Sequence, residues 1–177
     1  MLKKLTAILA LFTLLIVMTA CSGSIDDAKV IDTSEILVTV DKEKITQQDL
    51  DMSMINSYLS EKESIENLIN NRLLLLYSKD LKVKTTKKEI TDEMDRAKKY
   101  FKEIENDNSV EAVKSKTDFE KILNTLGLTE KEYWNSYAFN GYKKVIIIGK
   151  TKEKLGNDLA KTLQTLRNKY EIKYYNN

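Results

Sequence analysis

Residues 64–81, SIENLINNRLLLLYSKDL, constrain the fold of this chain more than any other stretch. Ile65, Leu68, Ile69, Arg72, Leu73 and Leu76 recur at the three-four spacing of one helix face. Leu74 and Leu75 fill the flanks, so the second half is apolar almost all round. A helix of that kind is covered on most sides, and each buried Leu or Ile contributes about 1.5–3 kcal/mol. The other elements are therefore expected to pack around it. The helices on either side are one-sided, as that arrangement requires.

Composition agrees with a helical fold. The 177 residues contain five Gly and no Pro, where average usage would supply about nine Pro. With 42% hydrophobic and 32% charged residues, the chain reads as one globular domain plus a tether. It has no His, which excludes an imidazole base, a His metal ligand and Ser-His or Cys-His nucleophiles. Its single Cys cannot form an internal disulfide or a zinc cluster. Asp and Glu are interleaved with Lys on helical faces and read as solvated surface. No cofactor and no metal are expected, and an enzyme is the least favoured class.

The first 20 residues read as a secretion signal. Lys3 and Lys4 open it, and residues 5–18 form an apolar run of 14. That is short of the roughly 18 residues a membrane span needs and suits a signal core. Met18-Thr19-Ala20-Cys21 followed by Ser22-Gly23-Ser24 resembles the bacterial lipobox, in which the Cys is acylated and becomes the mature N-terminus. The chain's sole Cys falls at that position. Met18 stands where the pattern prefers Leu. Residues 21–34 then read as a flexible tether with an end-to-end distance of about 20 Å. Without Lys3 and Lys4 the chain carries 27 basic and 27 acidic residues, so nothing suggests a nucleic-acid footprint.

The folded domain is expected over residues 35–177: mainly α, with a small β pairing of its N-terminal and C-terminal strands. EILVTV at 35–40 reads as a strand and residues 41–44 as a turn. Thr46 caps a helix over 47–59 with Leu50, Met54, Ile55, Tyr58 and Leu59 inward. Thr86 and Glu89 form a second capping box, opening a helix that carries Ile90, Met94, Ala97, Phe101 and Ile104. Residues 106–116 are polar and read as a loop with at most a helical turn at 110–113. A short helix with Phe119, Ile122, Leu123 and Leu126 follows, stopped by Gly127. Thr129 caps the next helix, which carries Tyr133, Trp134, Tyr137, Ala138, Val145 and Ile148. A last amphipathic helix from Lys152 carries Leu155, Leu159, Leu163, Leu166 and Tyr170. Gly149 either breaks these two helices apart or lies within one. EIKYY at 171–175 reads as a closing strand that pairs with 36–40.

Three stretches in this order resemble the N-terminal chaperone domain of the SurA/PrsA family of secreted foldases. Val38-Thr39-Val40-Asp41 with Ile45-Thr46 and Asp49-Leu50 is similar to that family's strand-turn-helix opening. Leu68-Ile69, Leu73-Leu74, Leu81 and the restart at Thr86 to Ile90 resemble its central helix and the one after it. Phe119, Leu123, Gly127-Leu128-Thr129 and Tyr133 resemble its helix-Gly-helix corner. The likeness covers residues 36–148. It departs at Lys42, where the family usually has Gly, so the turn needs another geometry or carries strain. The family's foldases also usually insert a parvulin isomerase domain, for which residues 150–154 leave no room.

This resemblance implies a chaperone-like module without isomerase activity, and the lipobox at Cys21 implies that lipid holds it on the extracytoplasmic face of the cell membrane. It would bind unfolded or partly folded secreted polypeptides on apolar and aromatic surface between helices. The candidate client-binding residues are Trp134, Tyr133, Tyr137, Tyr100 and Met52, with Tyr58 and Tyr142 as further surface candidates. Trp134 beside Tyr133 leads, because two adjacent rings on one helix do not both face inward. The competing reading is a docking module for one folded partner at the membrane.

Overall fold

The computed structural model describes residues 34–175. The signal, the tether up to residue 33 and Cys21 lie outside the described residues. The chain opens with β1 (Ile36–Val40) and β2 (Glu43–Thr46), an antiparallel hairpin in which Val40 faces Glu43 and Val38 faces Ile45. Only two residues, Asp41 and Lys42, connect the strands, so β2 occupies much of what the sequence reads as a turn. The turn resolves the missing glycine by putting the positive φ, +52°, on Asp41, a residue type that tolerates the left-handed region. The Asp41 amide donates to the Glu171 carbonyl at 2.8 Å, and its carboxylate accepts from the Glu171 amide at 3.0 Å. The hairpin is thereby fastened to β3 (Ile172–Tyr174), whose residues pair antiparallel with β1 as Val40 with Ile172 and Val38 with Tyr174. The expected pairing of the two chain ends holds, in a three-stranded sheet ordered β2-β1-β3.

Helix α1 (Gln47–Met54) starts at Thr46 with a complete capping box to Asp49. It stops earlier than the apolar pattern predicts: Ile55 is extended and Asn56 takes a φ of +59°. Tyr58 and Leu59, expected to face inward, are instead exposed on the loop that follows. Helix α2 (Glu61–Asp80) is the expected central helix, and it begins three residues sooner because Ser60 and Glu63 form another capping box. It touches α1, both first strands and two later helices. Leu68, Ile69 and Leu73 face the sheet, while Leu74 faces the opposite way in a second apolar cluster.

Helix α3 (Lys87–Glu103) follows its Thr86 capping box as predicted. Helix α4 (Val110–Leu126) corrects the sequence reading, since residues 110–116 are its first two turns. Ser109 caps it, and the inward face there is built from the small residues Ala112 and Ser115. The Tyr100 hydroxyl meets Ser115 Oγ at 2.9 Å, which fixes that turn against α3. Gly127, at a φ of +64°, ends α4 where the sequence places its stop.

Helix α5 (Glu130–Glu132) runs into a π-helical turn (Tyr133–Tyr137) and then α6 (Ala138–Leu155). Gly149 lies inside α6. The break comes at Gly156, with φ +50° and ψ −122°, in a 3-10 turn (Gly156–Asp158) before α7 (Leu159–Lys169). Among the described residues no helix is long and apolar enough to cross a membrane.

Candidate binding groove

The central helix carries a stripe that apolar periodicity hides. Ser64, Asn67, Asn70, Asn71 and Leu74 share one face of α2. That face forms one wall of a groove of 530 Å³. Val145, Ile148 and Lys152 of α6 and Leu159 and Leu163 of α7 make the other wall, and residues 55–59 form one lip. The walls thus combine aliphatic side chains with carboxamides and hydroxyls.

The amides differ in what they have left to offer. Asn70 Oδ1 accepts from Arg167 Nη2 at 2.7 Å and Nε at 3.3 Å, which leaves its NH₂ group as the available donor. Arg167 is itself held by Glu66 at 2.7 Å. The Asn67 and Asn71 side-chain amides make no hydrogen bond to any described residue. Two uncommitted carboxamides above an apolar floor can donate to and accept from a peptide backbone while the floor takes apolar side chains. At the lip, Tyr58 is 99% exposed, and Met54 and Leu59 are exposed beside it. The loop is held by Lys114 Nζ on Asn56 Oδ1 and by the Leu59 amide on Ser57 Oγ at 3.1 Å.

Lys152 is the only charged residue among those lining the groove, and no carboxylate lines it. Burial beside apolar groups lowers its pKa from the ordinary lysine value. Among the described residues, no group of three or more His, Cys, Asp or Glu could hold a metal ion.

The predicted client-binding residues lie elsewhere. Met52, Tyr100, Tyr133, Trp134 and Tyr142 are buried, and Tyr137 is half-buried. All but Tyr100 belong to, or pack on, the aromatic core shared by α1, α3, α4, the π turn and α6; Tyr100 buries against Ile104 and Ala112 next to it. These side chains are therefore not the open surface the sequence reading expects. The π turn explains the discrepancy. Its Ala138 amide bonds to the Tyr133 carbonyl, five residues back, so each turn holds more residues and adjacent side chains diverge less around the axis. Tyr133 and Trp134 both turn inward, in edge contact at 5.0 Å, and Phe119 packs on both rings at 5.2 and 5.7 Å. The indole N–H donates to Glu130 Oε1 at 3.1 Å, and Lys98 Nζ sits 5.5 Å above the ring. Burial pushes the Tyr133 and Tyr142 phenols above the ordinary tyrosine range. Of the aromatic candidates, Tyr58 alone lines the groove.

Sequence reasoning missed Asn67, Asn70 and Asn71. Their signal is the spacing itself: amides at i, i+3 and i+4 put one polar stripe on a helix whose other faces are apolar, and Asn67 is exposed while Asn70 and Asn71 are half-buried.

Over 198 aligned residues the chain is 27% identical to the foldase protein PrsA of Clostridium botulinum strain Langeland, covering 98% of this chain and 54% of that protein. The foldase proteins PrsA of strains Okra and Kyoto match to the same extent. The chain spans about half the length of the curated relatives it matches. No protein-family model matches it, and no solved structure does.

Proposed function

We propose that this protein is an extracytoplasmic holdase, anchored to the membrane by lipid at Cys21, that keeps segments of unfolded secreted polypeptides in the groove between α2, α6 and α7. The observation that carries the reading is the groove itself, whose aliphatic walls and uncommitted Asn67 and Asn71 amides suit an extended apolar peptide. The distant similarity to PrsA foldases along nearly the whole chain supports the same class of role. Binding here needs no covalent step, and the absence of histidine from the 177 residues is consistent with holding without isomerising.

The test is aggregation of two unrelated unfolded proteins, followed by light scattering. The full chain in stoichiometric excess should slow both. A Tyr58→Ser, Leu59→Ser double variant at the exposed lip should protect less while keeping its unfolding midpoint. Protection of neither client would overturn the holdase reading in favour of a dedicated docking module. The anchor is tested separately: Cys21→Ala should release the protein into the medium or leave uncleaved precursor. A variant that fractionates and migrates like the wild type would refute lipidation.

A further inference from the structure

Three lysines on the last turns of α6 are placed differently. Lys150 Nζ bonds to the Glu89 carboxylate and to the Lys84 carbonyl at 3.2 Å. Lys154 Nζ bonds to the Leu81 carbonyl at 2.9 Å. Lys152, between them, lines the groove, and its Nζ has no hydrogen bond or ion pair among the described residues. The groove offers it no counter-ion, because its other lining residues are aliphatic, aromatic, hydroxyl or amide side chains.

An ammonium half-withdrawn from water without a partner is unfavourable, and an incoming anion relieves that cost. We infer that the groove selects apolar polypeptide segments that carry a carboxylate, with Lys152 as the counter-ion and the Asn67 and Asn71 amides as hydrogen-bond partners. A single point charge in an aliphatic setting suits one carboxylate on a largely apolar segment. A polyanion would leave most of its charge unpaired against leucines. The lowered lysine pKa is a sign of the same desolvation. The inference rests on the reading of the groove as a polypeptide site, and it adds a preference that apolar contact alone does not supply.

Fluorescence anisotropy with the full chain and labelled peptides of equal length tests it. Three are apolar, amidated at the C-terminus and differ at one central residue: Gln, Glu or Lys. A fourth keeps Gln and has a free C-terminal carboxylate. The Glu peptide should bind about tenfold more tightly than the Gln peptide at low salt, and the Lys peptide most weakly. A gain in the fourth peptide in place of the Glu peptide would support the inference and assign the carboxylate to a chain end. Lys152→Gln should bring the Gln and Glu affinities together, and Lys152→Glu should reverse the order in favour of the Lys peptide. Far-UV circular dichroism checks that both variants keep their helices. Equal binding of all four peptides, or a preference that survives Lys152→Gln, would overturn the inference and leave the groove reading standing. Failure of every peptide to bind would overturn both. Self-association of the chain that Lys152→Gln abolishes would make a second copy the occupant and would also overturn it.

Discussion

Arg72 is 2% exposed at a core-facing position of α2, and its guanidinium donates to Asp49 Oδ2 at 3.2 Å. The same oxygen accepts from the Thr46 amide at 3.0 Å, and Arg72 Nε reaches the Lys44 carbonyl at 3.3 Å. One carboxylate thus caps α1 and neutralises a charge inside the core. Asp49→Ala should cost about 3–5 kcal/mol, because it removes the carboxylate that pairs with a buried guanidinium. Urea unfolding measures this, and the Asp49→Ala, Arg72→Met pair should recover part of the loss; a single-variant cost below about 1 kcal/mol would refute the role. Nearer the surface, Lys150 and then the Thr86 amide hold the Glu89 carboxyl at a pKa of about 2, down from 4.5. A depressed folded-state pKa means that the contribution is present above pH 4.5 and is lost as pH falls toward 2. Lys150→Met should move the Glu89 titration midpoint upward in carboxyl NMR, while the Thr86 amide still keeps it below the ordinary value. An unmoved midpoint would show that Lys150 is not the main cause.

Helices α4 and α6 end where a positive-φ glycine backbone, and not the side-chain pattern, demands it. Gly149 and Gly156 stand seven residues apart, and a Cβ built on either meets nothing within 4 Å. Their backbones differ, since Gly149 is helical and Gly156 holds a φ of +50°. Gly149→Ala should therefore stabilise by about 0.5–1 kcal/mol. Gly156→Ala should destabilise by about 1–3 kcal/mol, because its conformation is essentially restricted to glycine. Thermal unfolding of the pair should shift in opposite directions. Shifts of the same sign would mean that space, not backbone conformation, governs these sites.

Across the whole molecule, α6 serves two separate surfaces. Ala138 and Tyr142 face the aromatic core, while Val145, Ile148 and Lys152 face the groove. Val145 and Ile148 are themselves buried against Leu74, so of these groove residues on α6 only Lys152 can be changed without loosening the core. Trp134→Ala should cost about 3–5 kcal/mol, as for other buried tryptophans, measured as a drop in the denaturant midpoint. An unchanged midpoint together with lost client protection would return Trp134 to the binding surface. Leu73→Ala, on the opposite side of α2's packing, should cost about 2–5 kcal/mol without involving the groove walls.

What the chain's own letters determine is local. Threonine three residues before an acid closes a capping box within a single turn, and the boxes at Thr46, Thr86 and Thr129 all form. The central helix, the Gly127 stop and the pairing of the end strands are legible for similar reasons: each rests on periodicity, a preferred backbone angle or β-rich alternation. The tertiary structure decided what depends on a distant neighbour. The first turns of α4 bury Ala112 and Ser115, too small and polar to signal a face until Tyr100 supplies their partner. The π turn draws Tyr133 and Trp134 into one core because Phe119 lies across from both. The groove exists because α7 returns beside α2 and α6, leaving the Asn67 and Asn71 amides open and Lys152 without a counter-ion. Residues close in sequence set the elements, whereas helices far apart in sequence decide which side chains are covered.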